Sequence, residues 1–249
     1  MTFTYDTTQL LWAFGLTLFA GLSTGIGSLI AFFAKRTNTN FLSFSLGLSA
    51  GVMIYVSFVE LFMESREMLA QLHGEKLGFT YATLAFFGGV LVIAIIDKLI
   101  PEAENPHEIR PLEEMPEGES IPEDEMTSKK ATTKKQENKR LLRVGLVTAL
   151  VLAIHNFPEG MVTFLAGLKD LSIAIPIAVA IAIHNIPEGV SVSIPIFYAT
   201  GDRRKAFWLS FLSGLAEPVG ALVGYLVLAP YLNDNVFGIL FGGTAGIMV

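Results

Sequence analysis

The chain has 249 residues, of which 52% are hydrophobic and 16% are charged, and its formal net charge is −6 at pH 7. Soluble domains usually carry about 25% charged residues, so this composition excludes an ordinary water-soluble domain and indicates a chain that folds in lipid. No cysteine is present, which excludes disulfide bonds and thiolate metal ligands.

Six apolar runs are long enough to cross a bilayer, whose hydrocarbon core of about 30 Å requires roughly 20 helical residues. The polar N-terminus lacks the basic residues of a secretory signal peptide. A seventh run begins near Val236 and reaches Val249, and we expect it to be the first part of a longer helix. The six runs cover roughly residues 10–34, 41–63, 80–100, 143–168, 173–198 and 206–231.

Lysine and arginine residues are distributed unevenly between the two sets of loops that these runs define. If the N-terminus lies outside, the outer loops hold only Arg66, Lys76 and Lys169, and the inner loops hold most of the other basic residues. Cytoplasmic loops of membrane proteins carry the excess of basic residues. We therefore predict a multi-pass protein of the cell membrane with its N-terminus outside.

One long polar stretch, residues 101–142, begins with glutamates and ends with lysines and arginines. Its composition buries too little apolar surface to fold, so we predict a disordered cytoplasmic loop. Metal capture by His107 and its acidic neighbours is the weaker interpretation, because one histidine makes a poor metal cluster. The predicted division is three membrane helices (1–100), this loop (101–142), metal-binding helices four and five (143–198), and helix six with the start of helix seven (199–249).

Two copies of one motif lie at the centres of the fourth and fifth runs. Residues 155–161 (HNFPEGM) and 184–190 (HNIPEGV) match at five of seven positions. In each copy the histidine and the glutamate are four residues apart, which places them on one helix face about 6 Å apart. A further carboxylate, Glu217, lies at the centre of the sixth run.

Ionisable side chains at this depth require a physical reason. A charge at the bilayer centre costs about 2.5–3.5 kcal/mol even on the lenient insertion scale. A single histidine or a protonated glutamate is readily explained as a packing residue, but two copies at equal depth favour a shared site. Imidazole, carboxylate and the amide oxygens of Asn156 and Asn185 suit Zn²⁺, Fe²⁺, Mn²⁺, Co²⁺ and Cd²⁺ and suit Cu(I) poorly.

The remaining motif positions also have a physical interpretation. Pro158 and Pro187 remove backbone N–H groups and predict broken helices whose freed carbonyls line a cavity. Gly160 and Gly189 permit close helix approach. Near the outer end of the second run, Ser57, Glu60 and Glu64 are either ordinary interfacial residues or an acidic rim that attracts cations.

A weaker internal similarity joins residues 49–54 (SAGVMI) to residues 244–249 (TAGIMV). By the predicted topology the two segments run in opposite directions, as inverted repeats do in transporters.

At the two HNxPEG motifs the sequence resembles the ZIP family of divalent metal-ion transporters, and most closely its ZupT-like bacterial group. Residues 44–51 (FSLGLSAG) and 213–217 (SGLAE) extend the likeness over the whole chain. The resemblance implies an all-α polytopic membrane bundle of eight helices in a 3+2+3 inverted-repeat arrangement, with both termini outside and metal import toward the cytosol. This chain stops within the seventh of those helices. Pro218 departs from the usual family pattern and predicts a bend.

The same resemblance implies a site for two metal ions, with bridging glutamates. One subsite would use His155, Glu159, His184 and Glu188, and the other would use Asn156, Glu159, Asn185, Glu188 and Glu217.

Other functions remain open on the sequence alone. An intramembrane zinc protease needs a His-Glu-x-x-His motif, which neither copy provides, and a passive channel or a metal-binding sensor differs only in whether metal is moved. No phosphate-binding loop is present to support an ATP-driven pump. We expect a non-enzyme whose partners are divalent metal ions and the lipid bilayer, without nucleic acid, and we leave a homodimer open.

Overall fold

A computed structural model describes residues 6–33, 39–99 and 128–249. Within these residues the chain is helical, and six stretches are long and apolar enough to cross a membrane. They match the six predicted runs, so the prediction of an all-α polytopic bundle is confirmed. The spans are Thr7–Ala31, Ser43–His73, Glu75–Ile96, Leu141–Lys169, Leu171–Thr200 and Arg203–Leu228.

The described part of the chain forms nine α-helices. A π-helical segment, Val56–Leu61, joins α2 to α3 within the second span, and a 3₁₀ turn, Ala229–Tyr231, follows α8. The seventh predicted run corresponds to α9. The helices are α1 (Thr7–Phe33), α2 (Thr39–Tyr55), α3 (Phe62–His73), α4 (Glu75–Leu99), α5 (Ser128–Lys169), α6 (Leu171–Thr200), α7 (Arg203–Gly214), α8 (Ala216–Leu228) and α9 (Asp234–Ile247).

These helices pack in two groups. Helices α1, α7 and α8 pack against the α5–α6 hairpin, which carries both sequence motifs. Helices α3, α4 and α9 pack against one another, with Leu69, Phe237 and Phe241 fully buried among them. Helix α2 packs on α6 in the first group and continues through the π-helical segment into α3 of the second group. The second span therefore connects the two groups.

Polar contacts gather several helix ends at one side of the bundle. They join the start of α1, the end of α3, the end of α5 and the start of α9, which are ends that the predicted topology places outside. That orientation relative to the cell stays a prediction. The contacts are Gln9 Nε2 to the Leu168 carbonyl (2.6 Å), His73 Nε2 to Asn235 Oδ1 (2.5 Å) and Lys169 Nζ to Asp234 Oδ1 (2.5 Å).

The direction of α9 tests the prediction that the two similar segments, residues 49–54 and 244–249, run in opposite directions. Helix α9 begins beside the end of α3, and Ser65 of α3 donates a hydrogen bond to the carbonyl of Gly238 at 2.6 Å. It therefore runs antiparallel to the second span, so residues 49–54 and 244–249 have opposite directions, as expected. The 3+2+3 inverted repeat stays a prediction.

The motif glycines bring backbones together. A Cβ added at Gly160 would overlap the backbone of Glu217, and one added at Gly189 would overlap the carbonyl of Thr24. Helix α5 therefore lies directly on α8, and α6 lies directly on α1. This confirms the expected close approach, which small residues permit between membrane helices.

The prediction of broken helices at the motif prolines is wrong. Helix α5 continues through Pro158, and α6 continues through Pro187. A proline removes one N–H from the helix, and neighbouring helices let a membrane helix accommodate that loss without ending.

The interruption occurs instead in the sixth span. Helix α7 ends at Gly214 and α8 begins at Ala216. Pro218 has no N–H to donate to the Gly214 carbonyl four residues before it, so the α-helix is interrupted about one turn before the proline, and the bend itself stays a prediction.

The boundary predicted at residue 142 is also corrected. Helix α5 begins at Ser128, so residues 128–142 are helical rather than disordered. This stretch contains five lysines and two leucines, which favour helices, and it lacks proline. The remainder of the predicted loop, including His107, lies outside the described residues, and the rest of the domain division stays a prediction.

Candidate metal site

The α5–α6 hairpin places the two motifs side by side. His155 lies 15 residues before Asp170, the residue between the helices, and His184 lies 14 residues after it, so both histidines are roughly 21 Å from the turn. Asp170 caps α6 by accepting a hydrogen bond from the Ser172 N–H at 2.8 Å. That bond holds the pKa of the Asp170 carboxyl below its ordinary value.

Four predicted ligands form the more open half of the site. His155 Nε2 lies 3.4 Å from Glu159 Oε1, and His184 Nε2 lies 2.9 Å from Glu188 Oε1. One ligand atom from each of His155, His184 and Glu188 lies within 4.8 Å of the other two. Ligands placed tetrahedrally at about 2.1 Å from Zn²⁺ are about 3.4 Å apart, so modest side-chain movements would complete a coordination shell.

The other three predicted residues form the closed half of the site. Asn185 Nδ2 donates hydrogen bonds to the Glu217 carboxylate and to the Ala20 carbonyl, the latter at 2.9 Å. The side-chain amide of Asn156 is oriented so that its nitrogen faces two acceptors. That nitrogen donates hydrogen bonds to Glu188 Oε2 at 3.2 Å and to the carbonyl of Leu152 at 3.0 Å. Asn156, Asn185 and Glu217 are fully buried.

Several buried polar atoms of this site lack a hydrogen-bond partner. Buried polar atoms in proteins are normally hydrogen-bonded, so each exception requires an explanation. Two of these atoms do have close neighbours: His155 Nε2 lies 3.4 Å from Glu159 Oε1, and Glu188 Oε1 lies 2.9 Å from His184 Nε2. Buried carboxylate and amide oxygens without hydrogen bonds suit a divalent cation. The atoms without a hydrogen-bond partner are both carboxylate oxygens of Glu159, Oε2 of Glu217, Oδ1 of Asn185 and Nε2 of His184.

The structure thus brings all seven predicted ligands to one place. The two halves meet because Glu188 contacts both His184 and Asn156, and because Gly160, next to Glu159, lies on the Glu217 backbone. The histidines are the more accessible members, with exposed side-chain fractions of 19% for His155 and 15% for His184. The arrangement can bind a divalent cation deep in the helix bundle.

Two features near the site had no signal in the sequence. Ser49 of α2 places its Oγ 2.5 Å from Nδ1 of His184, although neither sequence segment that contains this serine indicated a contact with the motif. The π-helical segment leaves Ser57 Oγ buried without a partner, and Glu60 and Glu64 are half-buried. The acidic rim proposed for these residues stays a prediction.

Comparisons with known proteins give one consistent family. Residues 8–249 match the family model described as ZIP zinc transporter. The chain is 57% identical over 245 residues to a zinc transporter ZupT of Nitratidesulfovibrio vulgaris, covering 98% of this chain and 85% of that protein. It is 56% identical over 245 residues to one of Clostridium perfringens (97% and 84% covered) and 57% identical over 237 residues to one of Streptococcus mutans (95% and 83%).

Proposed function

We propose, since the chain belongs to the ZIP family of zinc transporters, that it imports Zn²⁺ through the site between α5, α6 and α8. It is a multi-pass membrane protein that transports divalent metal ions. The distribution of lysine and arginine among the loops supports an N-terminus outside the cell membrane. Import toward the cytosol is what the resemblance of the motifs to the family implies.

The observation that carries this proposal is the carboxylate of Glu159. It is fully buried, and neither of its oxygens has a hydrogen-bond partner. A buried carboxylate without hydrogen bonds is unfavourable, and a passing dication would relieve that penalty. The histidines four residues before Glu159 and Glu188 supply neutral nitrogen ligands that suit zinc.

We assign two ions to the site. The first would bind His155, Glu159, His184 and Glu188, and the second would bind Asn156, Glu159, Asn185, Glu188 and Glu217. Glu159 and Glu188 would bridge them. The two motif asparagines support the second subsite, since their amide groups lie fully buried beside glutamate carboxylates.

We extend the substrate range to Fe²⁺, Mn²⁺, Co²⁺ and Cd²⁺ because the ligands are imidazole, carboxylate and amide groups, which bind all of these borderline ions. Geometry and metal availability, rather than ligand type, decide among such ions. A competition series with these ions against Zn²⁺ in liposomes would rank them.

The alternatives lead to different results in one assay. A zinc protease would cleave a polypeptide, a metal sensor would bind zinc without moving it, and a transporter moves zinc into a sealed compartment. Neither motif has the order of histidine and glutamate that a zinc protease requires, so we place the chain among transporters rather than enzymes. A homodimer stays a prediction.

The experiment is uptake of radioactive zinc by the purified protein in sealed liposomes. We expect saturable uptake by the unchanged chain, no uptake by Glu188→Ala, and normal uptake by Glu75→Ala, a control that removes an exposed glutamate at the start of α4. Normal uptake by Glu188→Ala would remove the assignment of the site. Zinc binding without uptake by the unchanged chain would favour a sensor.

A further inference from the structure

Ser49 makes a contact that joins α2 to a predicted metal ligand. Its side chain is 4% exposed, and its Oγ lies 2.5 Å from Nδ1 of His184 in α6. The other ring nitrogen of His184, Nε2, faces Glu188 Oε1 at 2.9 Å. The serine and the carboxylate therefore lie at opposite edges of the same imidazole ring.

The contact of Ser49 differs from the hydrogen bonds that several buried hydroxyl groups make within their own helix. Thr17 and Ser23 bond to carbonyls three or four residues earlier in their own helix, as hydroxyl side chains in helices commonly do. Ser49 instead reaches across to a side chain 135 positions away in the sequence. Its hydroxyl is thus committed to the ring of His184.

The chemistry of imidazole gives this contact a consequence. A neutral ring carries one N–H, and only the other nitrogen can offer a lone pair to a metal ion. Histidines that bind metals nearly always donate their second ring N–H to a fixed acceptor, which sets the tautomer and the ring orientation. An acceptor at Nδ1 therefore leaves Nε2 as the ligand atom, and Nε2 of His184 faces Glu188, another predicted ligand, at 2.9 Å.

We propose that Ser49 is a positioning residue, which accepts a hydrogen bond from Nδ1–H of His184 and so directs the Nε2 lone pair of His184 at the transported ion. The inference rests on the proposed function, because it concerns the same site. It adds a residue from α2, outside the duplicated motifs, to the groups that determine how tightly the ion is held.

The test compares Ser49→Ala with Ser49→Thr and with Thr17→Ala, a control that removes a buried hydroxyl bonded to the Ala13 carbonyl within α1. Loss of such an outer partner typically weakens metal affinity about 10- to 100-fold. We expect Ser49→Ala to raise the KM for Zn²⁺ uptake at least tenfold with a smaller change in maximal rate. Ser49→Thr, which keeps the hydroxyl, should restore the KM, and Thr17→Ala should leave it unchanged.

A second measurement does not require the alanine variant to fold. Nitrogen NMR of the unchanged protein with Zn²⁺ bound, labelled at its four histidines, reports the tautomer of each ring, and His184→Gln identifies the relevant signal. We expect His184 to be protonated at Nδ1. Protonation at Nε2 instead, or a KM for Ser49→Ala within twofold of the unchanged protein, would overturn the inference.

These outcomes are separate from those that test the proposed function. If Glu188→Ala abolishes uptake while Ser49→Ala behaves like the unchanged chain, the transporter assignment stands and the role of Ser49 does not. If Glu188→Ala transports normally, the site itself is misassigned.

Discussion

Asn185 of α6 donates a hydrogen bond to the carboxylate of Glu217 in α8, and this contact joins the second motif to the sixth membrane span. Both side chains are fully buried. After the bond is made, Oδ1 of Asn185 and Oε2 of Glu217 still lack hydrogen-bond partners. The pair therefore presents two oxygen atoms that an ion can use, beyond those of the histidine-rich half of the site.

The first prediction concerns this pair. Glu217→Gln keeps the shape of the side chain and removes its charge, so we expect binding to fall from two Zn²⁺ ions per chain to one. Metal content after equilibrium dialysis of the purified protein measures this number. Glu75→Gln, which alters an exposed glutamate at the start of α4, should retain two ions. Two ions bound with unchanged affinity by Glu217→Gln would contradict the assignment of Glu217 to the second subsite.

The second prediction concerns the contact between α5 and α8. An alanine at Gly160 would overlap the Glu217 backbone, and overpacking of this kind typically destabilises by about 1–3 kcal/mol. We expect Gly160→Ala to lower the melting temperature in detergent and to abolish zinc uptake, because α8 moves away with Glu217.

A matched control exists for this substitution. Gly88 of α4 has open space where a Cβ would be added, so Gly88→Ala should be neutral or stabilising, since alanine is the better helix former by about 1 kcal/mol. Equal melting temperatures for the two variants would show that the close approach of α5 to α8 does not require glycine at residue 160.

The third prediction concerns the polar stretch between the third and fourth spans. The fourth span begins at Leu141, and its first predicted ligand is His155. We expect a chain in which residues 111–138 are replaced by a glycine–serine linker of equal length to keep measurable zinc uptake in liposomes. Complete loss of uptake at a normal membrane level would assign this stretch a role in transport.

The fourth prediction concerns pH and the cap of α6. The hydrogen bond from Ser172 lowers the pKa of Asp170 in the folded protein, so the charged cap stabilises the fold above the unfolded pKa of about 3.9. This stabilisation is lost as pH falls through the lower folded value. An N-cap contributes about 1 kcal/mol.

Thermal melting in detergent measures this effect. Asp170→Ala should melt below the unchanged protein at pH 7, and the gap should narrow below about pH 4. Asp170→Asn keeps a capping side chain that does not titrate. The melting temperature of this variant should therefore show no fall with pH that is caused by residue 170. A gap of constant size from pH 7 to pH 3 would contradict the role of the Asp170 charge.

Much of the architecture followed from local properties of the sequence. Run length and hydropathy located the six spans, because lipid imposes the same requirement on each of them. The two motifs could be placed side by side because they are almost equally far from Asp170. Glu217 could be added because a carboxylate at mid-span requires partners wherever it occurs.

The features that escaped prediction depend on contacts between distant segments. Nothing in the residues around Ser49 indicates that it faces His184, because that contact depends on how α2 packs on α6. The π-helical turn before Phe62 likewise has no local signature. Pro158 and Pro218 carry the same chemistry, yet only the second is associated with a helix end, since the surroundings of each proline decide whether the helix continues.

The position of α9 has a consequence for the order of assembly. Gly243 and Gly246 of α9 lie against the backbone of α4 at Gly89 and Phe86, and Lys169 reaches Asp234 across 65 positions of sequence. During synthesis, the α3–α4 hairpin therefore enters the bilayer long before the helix that covers it. All the helices that carry the predicted ligands, α5, α6 and α8, precede α9 in the sequence, so the ligand cluster can form before the second helix group is complete.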